Sequence, residues 1–454
     1  MRLTALLLLA SFSGMLRAPA SAATRPHYGG TLRIALHAAP TTLDPADPAL
    51  GDSVAAENIS RLVFDTLTVL DDHGVPKPAL TSSWSAEPGN QRWRFMPRND
   101  VKFQDGSSLT PEAAASSLRA ANPEWKVFST GGAVIIETAS AAPYLPAELA
   151  LTRNGIAKRE GKLMGTGPFA IAEWDLGKKL TLTAREDYWG GRPFLDSIVI
   201  ELGKSFREQM ISLDLGRVDV IEVAAEQALR GVAEGRRVRS SPPQELIAVV
   251  FAQDPRSEEE AHMRQALSSS IDRAAINAVL FQARGEPAAG LLPNWMTGYE
   301  FLFAKDFNLQ EARQVRAQNS IGLTWTLGYD RNDAAARLLA ERIALSASDA
   351  GLELRVANSK TPDARLVRVP VTSLDGEVAL RKLAALLGLP QPIFNGNSPE
   401  ELYAAEAAPL KSGRVIPLLH VRASYALSDA VKNWAEERDG SWRLEDVWVE
   451  AGKP

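Results

Sequence analysis

Residues 78–84, PALTSSW, and 92–118, RWRFMPRNDVKFQDGSSLTPEAAASSL, carry the densest structural punctuation in the chain. Trp93 and Phe95 alternate with Arg94, the period of a half-buried strand. Val101-Lys102-Phe103 repeats the pattern beyond a polar turn, so two strands are expected here. Thr110 then supplies a hydroxyl N-cap, and Pro111 fits the first helical position, where no N–H is needed. Glu112 adds an acid to the first turn, so a helix is expected from Pro111 onward.

The same alternation extends in both directions. Upstream, Gly29-Gly30 opens a strand over Thr31 to Leu36, followed by a Pro-punctuated loop from Ala38 to Pro48. Ile59, Leu62, Val63 and Leu67 then fall at helical spacing within 55–67. Downstream, strands are expected at 134–138, 169–174, 180–183, 196–202, 218–223, 324–328 and 352–356. Leu246 to Phe251 is a continuous apolar run, which suits a strand buried on both faces. Helices are expected at 207–215, over 258–281 as one helix or a pair, and at 333–350, where Gly351 is a good stop. Strands alternating with helices imply an α/β chain.

The N-terminus sets a compartment. Arg2 precedes an apolar run from Leu3 to Leu16, and Ala20-Ser21-Ala22 offers a small-residue cleavage site, so residues 1–22 read as a secretory signal peptide. Removing Arg2 and Arg17 with it leaves 48 Lys and Arg against 55 Asp and Glu, a net charge of −7. The two signs are interspersed without a basic patch, so no nucleic-acid partner is expected. There is no cysteine, which excludes disulfides, thiol catalysis and a lipid-anchored cysteine. About 430 residues exceed what one hydrophobic core usually serves, so two or three domains are expected.

Several stretches, in order, resemble one family. These are GGTLRIAL at 29–36 with TTLDPA at 41–46, ENISRLVFDTL at 57–67 and the 78–118 stretch above. GTGPFAIAEW at 165–174, REDYWGGRPFLDSIVIEL at 185–202, MRQALSSSIDRAAI at 263–276 and IPLLH at 416–420 follow. Together they are similar to the extracytoplasmic solute-binding proteins of oligopeptide, dipeptide and nickel ABC importers. The resemblance departs at 363–383, DARLVRVPVTSLDGEVALRKL, which lacks the family's Trp and Asp-Pro and leaves only Asp375 to stand in for its acid.

The resemblance implies a bilobal periplasmic-binding-protein fold of the type II, Venus-flytrap kind, with an extra domain inserted in the first lobe. Lobe one would comprise 28–55, 165–250 and 422–454, the insert 56–164, and lobe two 251–421. It further implies a periplasmic monomer that closes over a peptide-like solute and delivers it to an ABC permease and ATPase complex. The alternative is a receptor-derived sensor or scaffold with a shortened cleft. An enzyme is not expected, nor is any cofactor or metal site. The five histidines, at 27, 37, 73, 262 and 420, form no H-E-x-x-H or i, i+4 pair. No G-x-S-x-G elbow or phosphate-binding loop is present either.

The candidate ligand-binding residues are few. Ala39, Pro40 and Thr41 lie where the family lines its cleft with main chain, which can pair with an extended ligand like an added strand. Gln253 is a polar cleft residue or a turn residue. Trp295 and Tyr299, in LLPNWMTGYE, are ligand platforms or hinge packing. Asp375 is an anchor for a ligand amine or, beside Gly376, an exposed turn. Asp44-Pro45 reads as turn chemistry, and Trp174, Tyr188 and Trp189 read as packing.

Overall fold

The computed structural model describes residues 25–50, 53–303, 307–319, 322–331, 333–357, 359–394, 396, 398–435 and 437–450. The expected signal peptide lies outside these residues. Among the described residues no helix is long and apolar enough to cross a membrane.

Two long antiparallel strands, Arg237–Phe251 and Val415–Leu427, run through the middle of the main sheet and join its two halves. On one side, Val220–Glu222 pairs with the Tyr425–Leu427 end and with Thr31–Ala35, and the sheet continues through Ser197–Glu201, Lys179–Ala184 and Phe169–Asp175. On the other side, Ala364–Pro370 pairs with Glu245–Phe251, and Thr324–Gly328 and Glu353–Val356 complete the edge. The register between the long strands slips around Ser240, Pro243 and Glu245. Pro242 and Pro243 have no N–H to give the ladder, so the slip falls where pairing is weakest. The crossing between halves is at this point.

Strand 237–251 shows why its apolar run is unbroken. Ile247, Val249 and Phe251 enter one core, beneath helices Glu258–Ser270 and Ala334–Asp349. Leu246, Ala248 and Val250 enter another, beneath Gly376–Leu386. Both faces are covered, so no position is free to be polar.

In the other half, Leu32, Ile34, Ile198 and Ile200 pack against helix Val54–Val63 and against Trp434, Trp442 and Leu444 from the end of the chain. Residues 67–156 hold a separate core around a four-stranded sheet and the helix Pro111–Ala121, capped by Thr110 as expected.

Two expectations are corrected. Residues 101–103 are not a strand: Asp105-Gly106 turns the chain at once, leaving a single bridge between Lys102 and Ser108. Strand Arg92–Pro97 instead pairs with Thr81–Ala86 and Ala133–Glu137. The first helix stops at Val63, because the Gly165–Gly167 main chain crosses its end and the Gly167 N–H donates to the Val63 carbonyl at 2.9 Å. A Cβ on Gly165 would lie 1.9 Å from that carbonyl oxygen, so this crossing requires glycine.

Candidate functional site

A cavity of about 880 Å³ lies between the two halves of the sheet. One wall is main chain and small side chains from 37–41, the start of helix Val54–Val63, and Glu222 to Glu226. The facing wall is Tyr329, Asp330, the start of helix Ala334–Asp349, and Arg365 to Val369. Glu245 and Arg422, from the two crossing strands, close the back.

The loop 37–41 is pinned at its start. The Lys204 N–H donates to the Leu36 carbonyl at 2.9 Å and the Gly203 N–H to the Ala38 carbonyl at 3.2 Å. Among the described residues, the main chain of Ala39 and Thr41 has no hydrogen-bond partner, and both residues are exposed at the cavity. Of the candidate residues, Ala39, Pro40 and Thr41 are thus brought together in one wall.

The other four stand elsewhere, each with a structural task. Gln253 is exposed, and its carbonyl accepts from Arg264 at 2.9 Å. Trp295 donates its indole N–H to the Pro243 carbonyl at 2.6 Å, which ties it to the crossing strand. Tyr299 is buried and donates its hydroxyl to Glu406 at 2.8 Å. Asp375 caps helix Gly376–Leu386 by accepting from the Val378 N–H at 2.9 Å. The Asp44 carboxylate takes two bonds from Arg159, both at 2.6 Å, and Trp174 and Trp189 pack against the cores.

The cavity's charged side chains escaped sequence reading because they come one at a time from separate segments and form no motif. Arg368 and Glu245, on adjacent paired strands, form an ion pair, with the Arg368 Nε 3.0 Å from the carboxylate. Burial works against the Arg368 charge, but Glu245, Asp333 and Glu226 outweigh it and hold the guanidinium protonated. Glu226 projects from the opposite wall; burial pushes its carboxyl above the ordinary range. Glu222 is raised by burial too, against the His37 N–H that donates to it. Among the described residues, no cluster of three or more His, Cys, Asp or Glu side chains is arranged to hold a metal ion.

A second junction between the halves lies beside the cavity and is buried. Glu57, 6% exposed, receives Lys382 and Thr372 from the far half, the latter at 3.0 Å, and Thr152 at 3.1 Å. Arg61, one turn on, pairs with Asp439 at 2.8 Å. Burial alone would raise the Glu57 carboxyl, yet Lys382 and Arg61 outweigh it and hold it low. Nearby, Val378 packs on Ala147 and Leu151, and the Arg381 guanidinium lies 4.2 Å over the Tyr144 ring.

Comparison with known proteins gives this geometry its setting. The model of the bacterial extracellular solute-binding proteins, family 5, middle region, matches residues 75–380. The nickel-binding protein NikA of Staphylococcus aureus is 24% identical over 241 residues, 49% of this chain and 49% of that protein. The probable D,D-dipeptide-binding periplasmic protein DdpA of Escherichia coli is 23% identical over 264 residues, 52% and 51% of the two chains. The chain thus spans about half the length of these curated relatives. Among solved structures, S. aureus NikA in complex with Ni(L-His)2 superposes with a TM-score of 0.78 at 18% identity, covering 92% of this chain and all of that one. Helicobacter pylori DppA in complex with the peptide STSA gives 0.76 at 14% identity, covering 94% and 99%. At such identities the likeness is one of fold: two α/β lobes of the periplasmic-binding-protein kind. With a matched family model over more than half its length, this chain belongs to the bacterial extracellular solute-binding proteins of family 5.

Proposed function

We propose that this protein is the substrate-binding component of an ABC importer, taking a peptide-like solute in the interlobe cavity and presenting the closed form to its permease and ATPase. The observation that carries this is the 880 Å³ cavity walled by both lobes, with the unpaired main chain of Ala39 and Thr41 at its edge. A solute that touches both lobes biases the hinge toward closure, because only the closed form offers both sets of contacts. Unpaired main chain suits an extended backbone, which is the argument for a peptide-like ligand. No covalent step is required of any residue.

In this reading 28–55, 165–250 and 422–454 form lobe one, 56–164 the insert and 251–421 lobe two. The protein works as an exported monomer freed of residues 1–22. Native mass spectrometry of protein recovered from its own extracytoplasmic fraction tests the function. A co-purifying solute of peptide mass, released on unfolding, is expected. A chain that carries no solute and takes up none of a peptide library in calorimetry is a sensor or scaffold instead.

A further inference from the structure

The charges around the cavity do not balance, and this bears on what enters it. We propose that the solute bears net positive charge and that Glu226 receives one of its cationic groups; this rests on the reading of the interlobe cavity as the ligand site. Among the described residues, five carboxylates line the cavity, from Glu222, Glu226, Glu245, Asp330 and Asp333, against three guanidinium groups, from Arg365, Arg368 and Arg422. Two of those three are already committed. Arg368 is paired with Glu245, and Arg422 with Glu286 at 3.1 Å, a carboxylate outside the cavity lining. Among the described residues, Arg365 donates only to the Lys360 carbonyl, at 3.3 Å, and it is exposed. Among the described residues, Arg365 thus makes no ion pair, and neither do the lining carboxylates Glu222, Glu226 and Asp333, so anions outnumber cations there.

The carboxylates differ in how far they are occupied. Asp333 caps helix Ala334–Asp349, accepting from the Ala335 and Ala336 N–H groups at 2.9 and 3.1 Å. This answers the positive pole of that helix, which would otherwise favour an anion. Glu222 receives the His37 N–H. Among the described residues, Glu226 receives no side chain and no N–H beyond its own, although it is half-buried and opposite Arg368. A carboxylate in that position loses hydration when the lobes close, and an incoming ammonium or guanidinium group restores a partner. An anionic solute would add to the excess and leave Glu226 unpaired. A peptide with basic side chains fits, its carboxylate end lying toward Arg365. The amine anchor thus sits on lobe one and not at Asp375.

The test is calorimetric titration of the full-length protein without its leader, wild type and Glu226→Gln, with three probes: Lys-Ala-Lys, Glu-Ala-Glu and spermidine. The Glu226 side chain holds nothing else in place, so the variant keeps its fold, which circular dichroism checks. Lys-Ala-Lys is expected to bind at least tenfold more tightly than Glu-Ala-Glu, and Glu226→Gln to erase most of that preference. Glu-Ala-Glu binding as tightly as Lys-Ala-Lys, or a preference untouched in Glu226→Gln, overturns the charge inference while leaving peptide binding intact. Spermidine binding that Glu226→Gln abolishes, with neither peptide bound, upholds the charge inference and removes the peptide reading. If none of the three binds wild type, both are overturned.

Discussion

Glu57 and Glu226 are carboxylates of one kind, both facing the second lobe, and they are held in opposite states. Glu57 is surrounded by donors from three segments, and Lys382 and Arg61 keep its carboxyl low against burial. Glu226 has no such partner, and burial raises it. The first is a completed contact that holds the lobes together; the second is a contact awaiting completion. On the proposed reading the two play different parts: a buried junction sets where the halves meet, and an unfinished one is left for the solute to complete.

The contrast breaks most sharply at Lys382. Lys382→Met removes the cation bonded to Glu57 and leaves only Arg61 nearby, and losing one partner of a buried pair costs about 3–5 kcal/mol. Urea unfolding should show that loss, and the double variant Glu57→Gln, Lys382→Met should recover most of it. A single variant within about 1 kcal/mol of wild type would mean that Lys382 is not holding the junction. The sign with pH follows from the lowered carboxyl. The Glu57 contribution is complete above its unfolded value near 4.5 and is lost as pH falls through the lower folded value.

Glu406 sharpens the comparison as an intermediate case, fully supplied with donors but lacking a cation. It accepts from the Leu291 and Leu292 N–H groups and the Tyr299 hydroxyl, and burial pushes it up to about 7. A carboxyl raised in the fold costs stability as pH climbs from its unfolded value toward 7, on the order of 3 kcal/mol in all. His420, bonded to the Leu291 carbonyl and pushed down to about 4 by burial, works with the opposite sign. Glu406→Gln should therefore gain on wild type by roughly 3 kcal/mol between pH 4.5 and 7. A stability difference that stays constant with pH would show that Glu406 is ionised throughout.

The smallest effect is expected at Asp375. Its carboxylate caps a helix outside the cavity, so Asp375→Asn, itself a good cap, should change unfolding stability by only a few tenths of a kcal/mol. Calorimetry with Lys-Ala-Lys should give unchanged affinity. A tenfold loss would return the amine anchor to Asp375 and contradict the role given to Glu226.

What the sequence disclosed follows from how local each signal is. The cap Thr110, the stop at Gly351 and the two-faced strand after Leu246 are written in adjacent residues, and the elements stand where those residues say. Strand 237–251 begins nine residues earlier than the apolar run, because Pro242-Pro243, which normally argues against a strand, marks the slip between halves. Of the cavity lining, only the main chain at 39–41 was legible in the sequence. Glu226, Glu245 and Arg368 are brought together by a sheet crossing and a facing loop, and nothing in their immediate neighbours distinguishes them from solvated charges. Trp295 and Tyr299 were conspicuous as loop aromatics, but their polar tips are taken up by Pro243 and Glu406.

The packing of Trp434, Trp442, Leu444 and Val447 against Leu32 and Ile34 carries a consequence for how the molecule is made. The strand Thr31–Ala35 has its core completed by residues about 400 positions further along the chain. Contacts of such sequence separation form slowly, because a long loop must close before any of them stabilises the fold. During vectorial synthesis that core stays unfinished until Trp434, Trp442 and Leu444 arrive, while the 67–156 core, closed by neighbours in sequence, can form earlier. A chain truncated before Trp434 should therefore keep one cooperative unit and lose another, and the folding order of this protein is set by where Trp434 and Trp442 lie.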